Sequence, residues 1–129
     1  MLKLFGIVDM NLEDQVISLN YAIRLQELGI KQDSLFYWYR DLKKDKWGIC
    51  YTKGKIITDQ FYSAFTVAEL GEMLPLWSEI GKRARNDWVC VVMEKNSVIN
   101  HHSCSEKEAD ARAKMIIFLI ENGSMKVDK

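Results

Sequence analysis

The sequence predicts an α+β fold: one mainly antiparallel sheet of about five strands, with two long helices packed on one face and one short helix at an edge. Two observations carry that prediction. From Leu35 onward the pattern has period two and is rich in aromatics, headed by the run Phe36-Tyr37-Trp38-Tyr39; such alternation suits a strand whose side chains cover both faces of a sheet. On either side of that region, residues 12–28 and 105–121 repeat at helical spacing and carry helix start and stop residues. A length of 129 residues fits a single domain spanning 1–129 with one core.

The first helix is expected over 12–28, opened by Asn11 with Glu13 and Asp14 in its first turn and closed by Gly29. It carries two apolar stripes on opposite sides. Ile17, Tyr21, Leu25 and Leu28 form one, and Leu12, Val16, Leu19 and Ile23 the other. A meander follows over 35–41, 46–52 and 55–58, joined by a Lys-rich turn at 43–46 and by Lys53-Gly54, where glycine can take positive φ. Thr66-Val67-Ala68-Glu69 is a capping-box pattern that opens a short helix ending before Pro75. Residues 76–87 show no clean period and receive no assignment. A second hairpin is expected from 88–93 and 98–102. Ser105-Glu106-Lys107-Glu108 is a further capping-box pattern, opening a last helix that Gly123 closes. Ala109, Ala113, Ile116 and Ile120 form its inward stripe, which leaves Phe118 on the side of Lys107, Asp110, Lys114 and Glu121 that should face water.

Composition excludes several classes. The chain is 48% hydrophobic and 28% charged with a single proline, unlike a disordered or fibrous protein. Eighteen basic residues balance eighteen acidic ones, so the whole-molecule field offers nucleic acid or an anionic membrane no long-range attraction, and neither is the expected partner. The start lacks a signal-peptide pattern, and the apolar run from Met115 to Ile120 is too short to span a bilayer. Cys50, Cys90 and Cys104 are odd in number and irregular in spacing, which fits reduced thiols and a cytoplasmic location.

The most suggestive chemical cluster is Cys90 with His101, His102 and Cys104. A turn at Lys95-Asn96 would set Cys90 opposite His101. These residues do not supply a four-ligand metal set, and a Cys-His catalytic pair would also need an oriented base and an oxyanion site. Burial of Cys90 as a small hydrophobe is the reading preferred. No metal, cofactor or catalytic residue is therefore expected. Glu69, Glu106 and Glu108 read as caps and first-turn charges. Lys82, Arg83 and Arg85, with Lys53, Lys55 and the 43–46 turn, would form a basic rim around aromatic strands, on which Tyr37, Tyr39 or Tyr51 could stack bases or a small ligand.

At Glu27-Leu28-Gly29-Ile30, Ser34-Leu35-Phe36-Tyr37-Trp38, Ala64 to Leu70 with Leu74-Pro75, and Glu108 to Met115, the chain resembles a group of small uncharacterised proteins of gut-type Bacteroides bacteria and their phages or mobile elements. The resemblance covers most of 27–123 and implies an accessory or phage-like setting, with no activity attached. The preferred reading is a non-enzymatic interaction protein and a homodimer, its copies meeting through Phe118 and either Val16 or Ile23, because one apolar stripe exceeds what a single sheet can cover. The alternative is a single-stranded nucleic-acid or small-ligand binding module that uses the aromatic sheet face. Whether that face is covered or open decides between them.

Overall fold

The computed structural model describes residues 11–51, 60–75, 78–82, 87–93 and 99–127. In chain order these form α1 (Leu12–Gln15), α2 (Leu19–Glu27), β1 (Tyr37–Asp41), β2 (Lys46–Cys50), β3 (Phe61–Ser63), α3 (Val67–Met73), β4 (Ser78–Lys82), β5 (Trp88–Met93), β6 (Ile99–Ser105) and α4 (Glu108–Glu121). The fold is α+β, but its strands make two antiparallel three-stranded sheets, β2-β1-β3 and β4-β5-β6, in place of a single sheet of about five. Two strands escape the pattern. The three residues of β3 are too few to show a period. In β4, Ser-Glu-Ile-Gly-Lys holds one large apolar side chain, so pairing with β5 makes it a strand and side-chain alternation does not. The strand expected over 55–58 and the Lys53-Gly54 turn lie outside the described residues.

The helix expected over 12–28 is broken. Asn11 caps α1 through Oδ1, which accepts from the Glu13 amide at 3.4 Å, and α1 then stops at Gln15. Val16 bridges to Thr66, and the Ile17 amide donates to the Phe65 carbonyl at 3.1 Å. Backbone groups that a continuous helix would satisfy are thus satisfied by a neighbouring segment. The break also dissolves the two opposed stripes: in the extended link Val16 and Ile17 point to opposite sides, and each is fully buried. At the far end of α2, Gly29 adopts φ 93°, with its amide on Gln26 and that of Ile30 on Leu25, the paired bonds of a Schellman cap.

Thr66 and Glu69 form the predicted reciprocal cap of α3, and the second carboxylate oxygen of Glu69 accepts from the Leu35 amide at 3.1 Å. The second capping box does not form. Ser105 is consumed by β6, where it pairs with Trp88, and Lys107 takes the N-cap position of α4. Glu108 instead receives the Arg112 guanidinium at 2.7 and 3.1 Å, and Gly71 of α3 leaves room for it: a Cβ there would meet Nη1 at 2.7 Å.

The side of α4 expected to face water is a helix seam. Ser18 bonds Asp110, Lys114 lies over the Tyr21 ring, and Arg24 pairs with Glu121, so α2 runs alongside α4 in the same direction. On another side α4 lies against β5 and β6, where the Ser103 hydroxyl donates to the Ala111 carbonyl at 2.7 Å. Ala109, Ala111 and Ala113 are fully buried, and their small size permits close approach on both flanks. The core joins Leu25 of α2, Leu70 of α3, Val92 of β5 and Met115 and Ile116 of α4 with Ile17 and Phe65 of the connecting segments.

Candidate functional site

Register fixes which aromatics share a face. Trp38 lies between Ile49 and Tyr62, and Arg40 opposes Trp47. With Phe36 and Tyr51, which follow by alternation, these side chains occupy one side of the first sheet. The inner part of that side meets the core. Trp38 and Tyr62 pack against the core cluster, and the Trp38 Nε1–H donates to the Ile17 carbonyl at 2.8 Å. The outer part is open: Trp47 is 36% and Tyr51 74% exposed. Two aromatic pairs mark its ends. Trp47 and Tyr62 have centroids 5.9 Å apart with a 36° tilt, and Phe36 meets Tyr51 edge-on at 6.2 Å.

The opposite side is closed. Tyr37 is 4% exposed, its ring edge-on to Phe61 and its hydroxyl between the Ser34 amide at 3.3 Å and the Gln32 carbonyl at 3.5 Å. Tyr39 covers Gly48, where a Cβ would approach its ring to 3.3 Å. Of the three residues expected to stack a ligand, Tyr37 and Tyr39 are committed to structure and Tyr51 alone is freely accessible. Trp47 is not among the three. Its position nine residues after Trp38, across a short turn, is the available signal that both indoles share a face.

The β1–β2 turn is rigidly built. One oxygen of Asp41 accepts from the Lys43 and Lys44 amides at 3.0 and 3.3 Å. Asp45 adopts φ 49°, a left-handed conformation that aspartate tolerates, and binds the Arg40 guanidinium. Both hairpin carboxylates are therefore occupied, while Leu42, Lys43, Lys44 and Lys46 stand exposed. Lys53, Lys55, Arg83 and Arg85 of the expected basic rim lie outside the described residues, and Lys82 is on the other sheet, 5.8 Å over the Trp88 ring.

The cysteine-histidine cluster does not assemble. The register sets Ser103, and not His101, opposite Cys90, and pairs His101 with Val92 beside a bulge between Val92 and Met93. His101 stacks on Phe118 at 3.5 Å with an 8° interplanar angle, whereas His102 and Cys104 alternate onto the opposite side of β6. Cys90 is fully buried, and burial pushes its thiol up to about 11, with the Arg112 charge pulling weakly the other way. It is a protonated thiol at neutral pH and no nucleophile. In the unfolded chain the thiol ionises near 9.0, so the stability linked to it is complete below that pH and is lost as pH rises toward about 11. Urea melts of the parent and of Cys90→Ala on either side of this window should show a steeper alkaline loss in the parent. Equal slopes would remove Cys90 from that role.

Among the described residues no three His, Cys, Asp or Glu side chains converge on a metal position. A cavity of about 190 Å³ lies beside Trp88 and Val67, rimmed by Asp14, Glu106, Lys107 and Glu108, and contains no nucleophile with an oriented base. Of the residues expected at a dimer contact, Val16 is fully buried, Ile23 is half-buried, and Phe118 is half-buried with its ring stacked on His101. No described helix is long and apolar enough to cross a membrane. No family model matches the chain, and no curated protein or solved structure matches it.

Proposed function

We propose that this chain is a non-enzymatic interaction protein that meets its partner across the aromatic face of the β2-β1-β3 sheet. The observation that carries this is the exposure of Trp47 and Tyr51 on the side that also holds half-buried Phe36, Ile49 and Tyr62. Scattered exposed apolar residues need no explanation, but contiguous aromatics on one rigid sheet are the usual makings of a contact surface. Self-association into a homodimer is one form this contact can take. A cytoplasmic location belongs to the same proposal, supported by an odd number of cysteines at irregular spacing. The accessory or mobile-element setting rests on the resemblance of sequence blocks alone.

The test is the double variant Trp47→Ala/Tyr51→Ala in the full chain. It is expected to keep the parent's circular dichroism spectrum and a cooperative melt, yet to lose whatever stoichiometric association the parent shows, whether in sedimentation or in copurification from its native host. A folded double variant that keeps every association of the parent overturns the proposal.

A further inference from the structure

We infer that the partner of this face is single-stranded nucleic acid, an inference that rests on the aromatic face being the contact surface. The zero net charge of the chain argues against such a partner, but the charge is unevenly spread. Between residues 40 and 46 stand four cations and two carboxylates. Asp41 is engaged by the turn amides and Asp45 by Arg40. The three exposed lysines of the turn and β2, Lys43, Lys44 and Lys46, make no ion pair with a described residue, so the hairpin end next to Trp47 presents positive potential. At physiological salt that potential reaches about 8 Å, enough to bear on a strand lying across Trp47.

Chemistry then selects among occupants. A second copy brings the same sign of charge to a two-fold contact, so like meets like. An acidic peptide answers the lysines but leaves the open rings without flat partners. A single strand offers phosphates and unpaired bases together, and stacking on aromatic side chains beside cations is how such strands are held without sequence readout. The spacing is suitable. Trp47 and Tyr51, four residues apart on one side, are separated by about 13 Å along an extended chain, which leaves room for separate bases with Ile49 between them. In a duplex the bases are already stacked and offer neither ring a face.

Fluorescence anisotropy of fluorescein-labelled oligodeoxyuridine and oligouridine, titrated with the full chain at low salt, tests this. Saturable binding is expected, stronger for single strand than for duplex of the same length, and the tighter of the two strands names the sugar preferred. Trp47→Ala and Tyr51→Ala should each weaken it about tenfold, from the usual range of base stacking, and Trp47→Phe should restore most of the loss. Lys43→Glu/Lys44→Glu should weaken binding and flatten its salt dependence by roughly 0.7 for each phosphate left without its lysine. Absence of binding at low salt, or binding indifferent to both aromatic variants in folded protein, overturns the inference. A parent that does not bind oligonucleotide but sediments as a dimer dispersed by Trp47→Ala gives the face to a second copy; the proposed interaction role then stands and this inference falls.

Discussion

Trp38→Ala is expected to destabilise the protein by about 3–5 kcal/mol, the range for truncating a large aromatic of the core, against which half-buried Trp38 packs, and to lower its melting temperature by roughly 10–20 °C for a domain of this size. Trp38 is where the first sheet is fastened to the helices. Its ring sits between Ile49 and Tyr62 on one side of β1 and packs against the core. Its Nε1–H reaches the Ile17 carbonyl at 2.8 Å, in the link that interrupts the first helical segment. That link has no helical hydrogen bonds of its own, so it depends on side chains and neighbouring strands for its polar groups. Alanine removes both the ring and the donor. Trp38→Phe removes mainly the donor and should cost about 1–2 kcal/mol, the net worth of a neutral bond plus an unpaired carbonyl. Urea denaturation of the two variants separates the packing contribution from the hydrogen bond. An alanine cost below about 1 kcal/mol would mean that the indole stands outside the core.

Local signals in this chain are legible, and long-range ones are not. Gly29, Gly123 and the Thr66-Glu69 pair act within one turn of their own helix, so their residue types announce their roles. The broken first helix is the opposite case. Both apolar stripes between 12 and 28 keep helical spacing, and the interruption comes from Thr66, Phe65 and Asp110, far away in sequence. Tertiary bonds outweigh propensity at such a place because propensity differences are only tenths of a kcal/mol per residue. Ser105 shows the same conflict, a competent cap drawn into a strand by its pairing with Trp88. The candidate site is half legible. Alternation places Phe36 and Trp38 on one side and Tyr37 and Tyr39 on the other, but which side stays open depends on Gln32, Ser34 and Phe61 closing over Tyr37, and no period encodes that.

Asp110→Ala should be comparably damaging, at about 3–5 kcal/mol, although this carboxylate sits on the side of α4 that periodicity assigns to solvent. Asp110 is 5% exposed. One oxygen accepts from the Ser18 amide at 2.8 Å and the other from the Ser18 hydroxyl at 2.5 Å, and the Lys107 ammonium lies 3.3 Å from that same hydroxyl. Ser18 is the N-cap of α2 yet makes no capping bond within its own helix. The carboxylate supplies one from 92 positions away. It also lies in the first turn of α4, so one negative charge meets the positive ends of two helices. Bonds to a charged acceptor are worth about 1.5–3 kcal/mol each, and alanine loses two of them while leaving the Ser18 amide unpaired. Asp110→Asn keeps the shape and one acceptor but loses the charge, so about 1–2 kcal/mol is expected. Ser18→Ala should cost about as much, since it removes the hydroxyl and spares the amide. The double variant Ser18→Ala/Asp110→Ala should then fall short of the sum of its parts by about 1 kcal/mol or more, the mark of two residues in one network. Additive costs across that cycle would show that the Ser18 hydroxyl is not coupled to Asp110, leaving the Ser18 amide as the only bond by which this carboxylate joins the two helices.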